Sequence, residues 1–431
     1  MVDKKKQHSP WVWIPTLCAA EEIPTAVVTF VAVLMLLQFG ASIEMASIYC
    51  GLLFLPWVLK SFLRSKVRNQ GNFKMHLHIV ESLMFACLIG VALYVNECKV
   101  VPFILFVFLF VIAFLCAWHG LLARMYYNRM LYPLQQKIYN KTKMFASQST
   151  IVLTYGVLII VAGFFEVFFR SYQKAWAMES YLVAGVFFVF CAINYLVLLN
   201  PRVHNPYRYE SLIGAFKNEM HIVERIQQKP HIKAVIMSAF FLLLPQALMF
   251  NSRVFFLLAD PEDGGMGCSV QEVGFAQGAI GVIAFSVGAV VGRYLLEKKG
   301  GKAMFWPFSI FLTLSPVFYM FMSHNPLIGN LVALCCMTFF AQLFFGFGSN
   351  VCMLFVRYIS EQRYRNDINF LYVPLVAGAM IVPMMASGWM VTLLGFKTFF
   401  IVNIACAPVA WVVLWCMKTK KIIVQDERKK E

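Results

Sequence analysis

Apolar residues in this chain come in long, nearly unbroken runs. Twelve can be drawn, near 11–39, 43–62, 75–95, 101–122, 144–168, 178–199, 232–257, 270–292, 303–322, 327–352, 368–392 and 397–417. As helices rising about 1.5 Å per residue, runs of this length cross a hydrocarbon core of about 30 Å. An outer-membrane barrel would instead show alternating segments of about ten residues. The pattern predicts an all-α integral membrane protein with twelve transmembrane helices.

The polar gaps between runs orient the helices. Of the 37 Lys and Arg residues, 32 fall in every second gap, and the other gaps hold only Lys99, Arg170, Lys174, Arg253 and Lys397. Basic residues stay on the cytoplasmic side during insertion. Both termini are therefore expected in the cytoplasm, and the number of spans is even. The same gaps divide the chain. The longest polar stretch gives an N-terminal six-helix bundle over 1–200, a cytoplasmic linker over 201–231 and a C-terminal six-helix bundle over 232–417. A basic tail follows over 418–431. Within the linker, Leu212, Ile213, Phe216, Met220, Val223 and Ile226 recur at helical spacing among Arg208, Lys217, Glu224 and Arg225. That spacing predicts an amphipathic helix.

Composition narrows the function classes. Charged residues make up 13% of the chain and apolar ones 60%, against about a quarter and about half in soluble domains. The net charge of +16 then reads as topology signals facing anionic lipid, not as a nucleic-acid surface. The 12 Cys lie mostly inside spans and lack C-x-x-C spacing, so they read as small apolar residues. No cleavable leader is visible, because the first apolar run is too long and carries Pro15, Glu21 and Glu22. No phosphate-binding loop, Walker sequence or HExxH is present, and the acidic loop at 260–263 lacks EF-hand spacing. No metal and no cofactor is expected.

Charges inside hydrocarbon are costly and mark function. Glu21 and Glu22 stand about ten residues into the first run, roughly 15 Å deep. Pro24 follows and cannot donate to the Ala20 carbonyl, so the helix should open there. Both acids are candidates for proton coupling, although adjacent helical residues point about 100° apart. Glu81, preceded by His76 and His78, is a third candidate, or a gating partner of the basic gap at 60–74. Glu166 is expected to pair with Arg170 at i,i+4, and Glu44 and Glu179 to sit solvated at the outer rim. Spans seven to twelve hold no clearly buried acid. Their polar residues Gln246, Asn251, Gln277, Gln342 and Asn350 are candidates for a substrate cavity, or for helix-packing contacts. Gly274, Gly278, Gly288 and Gly292 form small-xxx-small pairs that permit close helix approach.

Several motifs carry a resemblance. Trp13-Ile14-Pro15-Thr16-Leu17, Ala20-Glu21, Ile23-Pro24 and Leu55-Pro56-Trp57-Val58-Leu59-Lys60 resemble the AmpG-like muropeptide permeases and acetyl-CoA transporters of the major facilitator superfamily. Gly264-Gly265-Met266-Gly267, Lys298-Lys299-Gly300, Trp306-Pro307, Phe345-Gly346-Phe347-Gly348 and Ser387-Gly388-Trp389 extend the likeness over nearly the whole chain. The resemblance implies two six-helix bundles and proton-driven solute import across a bacterial inner membrane by alternating access. It makes Glu21 the family-like acid. Trp57 joins the cavity candidates, and Pro24, Lys60, Arg68, Gly288 and Gly292 are expected to have gating or structural roles. Glu22 stands where a small residue is usual, and four further positions depart from the pattern. Arg68 stands where the family keeps an Asp, Leu243 and Gln246 where it keeps a charged pair, and Ile368 where it keeps a His.

The reading is a secondary active transporter, probing as its partners the lipid bilayer, a small polar solute such as a cell-wall sugar or muropeptide, and protons, and acting as a monomer. The alternative is a transport-inactive membrane sensor or scaffold, motivated by the lost charges. An enzyme is not expected: His204, His221 and His231 share a face with acids, but no nucleophile–base spacing emerges.

Overall fold

A computed structural model describes residues 9–60, 72–97, 99–200, 212–324, 330–360 and 368–423. The described residues contain helix and turn and no strand. Among the described residues, ten helical stretches are long and apolar enough to cross a membrane. We label them with the amphipathic helix in chain order: α1 (Pro10–Gln38), α2 (Ile43–Lys60), α3 (Phe73–Glu97), α4 (Pro102–Met130), α5 (Pro133–Phe169), α6 (Tyr172–Val197), α7 (Leu212–Gln227), α8 (Ile232–Leu258), α9 (Val270–His324), α10 (Leu331–Ile359) and α11 (Ile368–Cys416). The chain is a multi-pass membrane protein.

The helices start where the sequence supplies caps. Ser42 Oγ accepts from Met45 N at 3.3 Å before α2, and Asn330 Oδ1 accepts from Ala333 N at 3.0 Å before α10. Ser269 and Glu272 form a reciprocal capping box at the head of α9. Pro102 and Pro133 sit in the first turns of α4 and α5, where a missing N–H costs nothing. The helices also run past the apolar runs. α5 begins at Pro133, well before residue 144, because its polar first turns satisfy their own backbone as well as apolar ones would.

α9 and α11 each combine two of the expected runs. Each contains one glycine with non-helical torsions, Gly300 (φ 75°, ψ 164°) and Gly395 (φ 71°, ψ 161°). Phe285 meets Phe345 at 5.1 Å and Phe311 meets Phe344 at 4.6 Å. In a straight helix, residues 285 and 311 would lie about 39 Å apart, so α9 folds back at Gly300. In α11, Met380 packs on Ala247 while Asn403 donates to the Pro245 carbonyl at 3.2 Å. Those two positions would be about 35 Å apart in a straight helix, so α11 reverses at Gly395. Positive φ favours glycine at both turns.

The chain forms two compact units. The first comprises residues 1–40 and 59–220, the second 41–58 and 221–431. In the first, Trp13 packs edge-on against Tyr126 at 5.4 Å, Phe187 is fully buried, and Trp176 Nε1 donates to Gln38 Oε1. In the second, a core of Leu242, Phe305, Phe308, Leu312, Phe355 and Leu414 joins α8 to α11. Lys229 Nζ donates to the carbonyls of Tyr358, Ile359 and Ser360 at 3.2, 2.9 and 3.1 Å, neutralising the free C-terminal end of α10. α2 joins this unit through Gly51 and Gly388, which let it approach α11 closely. A Cβ on Gly388 would lie 2.7 Å from the Ile43 carbonyl and also strike the Ser47 hydroxyl.

Gly388→Val should therefore lower thermal stability in detergent by about 1–3 kcal/mol through overpacking. Gly185→Ala, with nothing within 4 Å of its Cβ, should leave it unchanged. Equal melting of both variants would remove the close α2–α11 contact from the account.

Candidate functional site

Two groups of buried polar side chains stand out, one in each unit. In the first unit the acids of α1 face α4 and α5. Ser147 Oγ of α5 donates to Glu22 Oε1, and the charges of Glu21, Lys143 and Lys60 act on the Glu22 carboxylate. Glu21 lies against Gly120 of α4, where a Cβ would come 2.6 Å from its Oε1. α4 thus leaves room for that carboxylate. Below them a hydroxyl ladder descends α1. Thr25 donates to the Glu21 carbonyl at 2.7 Å, Thr29 to the Thr25 carbonyl at 2.8 Å, and Thr29 also bonds Tyr155 Oη of α5.

Both ends of that last bond lie in π-helical stretches, Val27–Val31 and Leu153–Leu158. Such widened turns recur at functional positions in helices. α1 itself remains helical through Pro24, so the irregular backbone falls just after the proline, not around Ala20.

Glu81 forms a separate buried cluster joining α3, α4 and α6. Its carboxylate is 2% exposed and accepts from His78 Nδ1 at 3.0 Å, His119 Nε2 at 3.3 Å and Asn194 Nδ2 at 2.8 Å. Of these, His119 and Asn194 are fully buried. A carboxylate with three donors from three helices ties them together and sets two imidazoles beside it. Glu81 is thus held inside the unit; the basic residues 61–71, Arg68 included, lie outside the described residues.

Two expectations for acids near the outer ends are corrected, the rim placement of Glu179 and the pairing of Glu166. Glu179 is buried, at 2% exposed, and among the described residues neither of its oxygens has a hydrogen-bond partner. It sits on the face of α6 that also buries Trp176, Val183 and Phe187, and sequence position alone does not reveal which face turns inward. Glu166 accepts from Gln38 Nε2 at 3.4 Å instead of pairing with Arg170. Arg170 adopts a left-handed conformation (φ 51°) that ends the helix, so the i,i+4 geometry is lost.

In the second unit, Gln277 and Gln342 come together. Gln277 Nε2 lies 3.0 Å from Tyr319 Oη and 3.5 Å from Thr338 Oγ1, and Gln342 Nε2 lies 3.4 Å from Gln277 Oε1. Arg253 of α8 acts on the same Tyr319 hydroxyl. Gln277 stands in a third π-helical stretch, Gly274–Gly281. The other cavity candidates lie elsewhere. Gln246 Nε2 donates to the Leu312 carbonyl at 2.6 Å, and Asn350 Nδ2 to the carbonyls of Ala289, Gly346 and Phe347. Asn350 also meets Gly292, and Gly288 meets the Leu343 carbonyl, so both glycines seat α9 against α10. The buried Asn251 amide has no partner among the described residues, and Trp57 packs beside Phe54 at 6.0 Å. His221 and Glu224 form an exposed pair at 3.0 Å along α7.

The sequence reading missed Ser147, His119, Asn194, Thr338, Tyr319 and Arg253. Four are hydroxyl or amide residues, whose local sequence does not distinguish a ligand contact from packing, and His119 carried a signal as a titratable group inside the apolar run 101–122. Arg253 carried a signal, as one of five basic residues outside the cytoplasmic gaps.

No family model matches the chain, and no curated protein matches it in sequence. Its fold does have solved counterparts. An inward-facing, occupied bacterial homologue of the human lysosomal transporter Spinster superposes with a TM-score of 0.70 at 14% identity, covering 96% of this chain and 98% of that one. The nucleoside transporter NupG gives 0.69 at 12% identity, covering 96% and 99%. The xylose transporter XylE from E. coli, inward open, gives 0.62 at 13% identity, covering 93% and 94%. At these identities the likeness establishes the fold alone, shared with these solved structures over nearly the full chain.

Removing a donor from a buried carboxylate costs about 1–3 kcal/mol. His119→Leu should lower thermal stability by that order, and should cost less in a Glu81→Gln background. Strictly additive costs in the double mutant would show that His119 and Glu81 act independently.

Proposed function

We propose that the chain is a secondary active transporter that moves a small polar solute by alternating access, coupled to protons through the first unit. The observation that carries the reading is Glu22. It lies some 18 Å along α1 from Pro10, beside Glu21, with a serine of another spanning helix donating to it. A carboxyl there is favourable to keep only if its charge is matched or cycled. The hydroxyl ladder through Thr25 and Thr29 gives a displaced proton polar neighbours. Glu81, with its two imidazoles, is a second relay in the same unit. In the second unit the Gln277–Gln342 group offers hydrogen bonds to the solute. Gln246 and Asn350, occupied by backbone carbonyls, hold helices.

The finer assignments follow from the sequence motifs. The reversals at Gly300 and Gly395 support twelve crossings, which would put both termini on one side; the basic gaps favour the cytoplasm for that side, and the motifs favour a bacterial inner membrane. The muropeptide-permease-like motifs favour a cell-wall sugar or muropeptide, and the chain acts as a monomer. Lys60, acting on Glu22, and Pro24, just ahead of the π stretch, are the gating residues of this scheme.

A second reading, a transport-inactive sensor, is favoured by one observation: Gln246, which stands where the resembling permeases keep a charge, is consumed by the Leu312 carbonyl. Uptake into proteoliposomes under an imposed pH gradient separates the two. Cell-wall fragments, pentoses, nucleosides and short peptides form the panel. We expect uptake of one class that rises with an inward proton gradient. Glu22→Gln should abolish the gradient dependence by tenfold or more while the protein still folds. Full gradient-driven uptake in both Glu21→Gln and Glu22→Gln would remove the coupling assignment, and no uptake of any class would favour the sensor.

A further inference from the structure

Arg253 is a permanent cation near the C-terminal end of a spanning helix, since a guanidinium does not lose its proton in proteins. Its Nε is buried and has no hydrogen-bond partner among the described residues. No carboxylate among the described residues lies within the 4.0 Å of an ion pair. What surrounds the guanidinium is neutral. The Phe250 ring lies 5.1 Å from it, and the Tyr319 hydroxyl joins it to Gln277, Thr338 and Gln342. Phenol, amide and hydroxyl dipoles can orient around a cation but cannot cancel it. A half-buried charge without a counter-ion is costly, and no acid among the described residues of the second unit supplies one here.

We infer that Arg253, with Tyr319, Gln277, Thr338 and Gln342, forms a binding site for an anionic solute, and that the transported substrate carries a carboxylate or a phosphate. The planar fork of the guanidinium matches either group through two parallel N–H···O bonds. The Gln277 and Gln342 amides, each turned toward a neutral partner, can re-aim their N–H groups at the ligand's oxygens. Gln277 rides on a π-helical turn, whose extra residue pushes the side chain out of regular helical register. The substrate class thereby narrows from a polar solute to an anion. This deepens the transport reading and rests on it for calling the ligand a substrate; binding itself needs no transport.

The test uses the full-length protein in lipid nanodiscs at constant ionic strength. Thermal unfolding is followed while glycerol 3-phosphate, succinate or glycerol is titrated. A ligand that binds only the folded state raises the melting temperature saturably. We expect stabilisation by at least one of the two anions and none by glycerol. A response to the phosphate ester alone, or to the dicarboxylate alone, supports the site and selects its chemistry. Arg253→Gln should weaken binding about tenfold or more, the loss of one charge-assisted contact. Lys298→Gln, an exposed cation elsewhere in the unit, should bind as the wild type does. Should Arg253→Gln fail to fold, Arg253→Lys keeps the charge without the fork, Tyr319→Phe removes only the hydroxyl, and both should bind several-fold more weakly.

Stabilisation by glycerol equal to that by the anions, no stabilisation by either anion, or anion binding unchanged in Arg253→Gln overturns the inference. Unchanged binding in both Arg253→Lys and Tyr319→Phe overturns it equally. Anion binding that persists without any uptake in proteoliposomes leaves this site standing and removes the transport reading instead.

Discussion

The rest of the structure follows from a single constraint: a backbone amide in hydrocarbon has no water to bond. Helices must therefore continue wherever the membrane continues. α1 remains helical through Pro15 and Pro24, and α8 through Pro245, although each proline removes a hydrogen bond. The reversals come at glycines, and the first comes where the sequence turns polar. Gly300 sits within Lys298-Lys299-Gly300-Gly301-Lys302, and Gly395 two residues before Lys397. Where the backbone deviates within a span, it widens into π turns instead of opening. Two of the three such turns are linked by the Thr29–Tyr155 bond, and the third presents Gln277.

The same constraint sorts the polar side chains. Most are absorbed by the helix that bears them, as Thr150, Thr154, Ser252 and Ser309 are through bonds to the carbonyl four residues back. Others join helices, as Gln246 and Asn350 do. The remainder are Glu21 and Glu22 on α1, Glu81 with its histidines, Glu179, and the Arg253 group. The first unit encloses carboxylates together with the buried Nε of Arg124, and the second holds a half-buried guanidinium amid neutral dipoles. On the proposed reading, protons act in the first unit and an anion in the second.

Much of the fold was legible in the chain. Eight of the ten spanning stretches among the described residues correspond to single apolar runs, and the two remaining ones each join two runs across a glycine, Gly300 in a polar gap and Gly395 in the short gap 393–396. Helix ends were less legible, as α5 shows, because a helix does not stop where charge begins. In the site, Glu21, Glu22 and Glu81 stood out because a charge in an apolar run is conspicuous wherever it points. Gln277 and Gln342 were named among five amides that looked alike, and only packing separated the pair that meet from those that hold backbone.

By itself, then, the sequence determined the number of apolar runs, their separation by basic gaps, and which ionisable groups enter the membrane. These are properties of each residue's transfer free energy and of its place in the chain. The tertiary structure decided which groups meet. It buried Glu179 rather than leaving it at a rim, turned Glu81 inward onto His119 and Asn194, and placed Arg253 on Tyr319. Those outcomes depend on which helix face turns toward which neighbour. That is fixed by close contacts such as those at Gly120, Gly288 and Gly388 between residues far apart in sequence, and no local pattern encodes it.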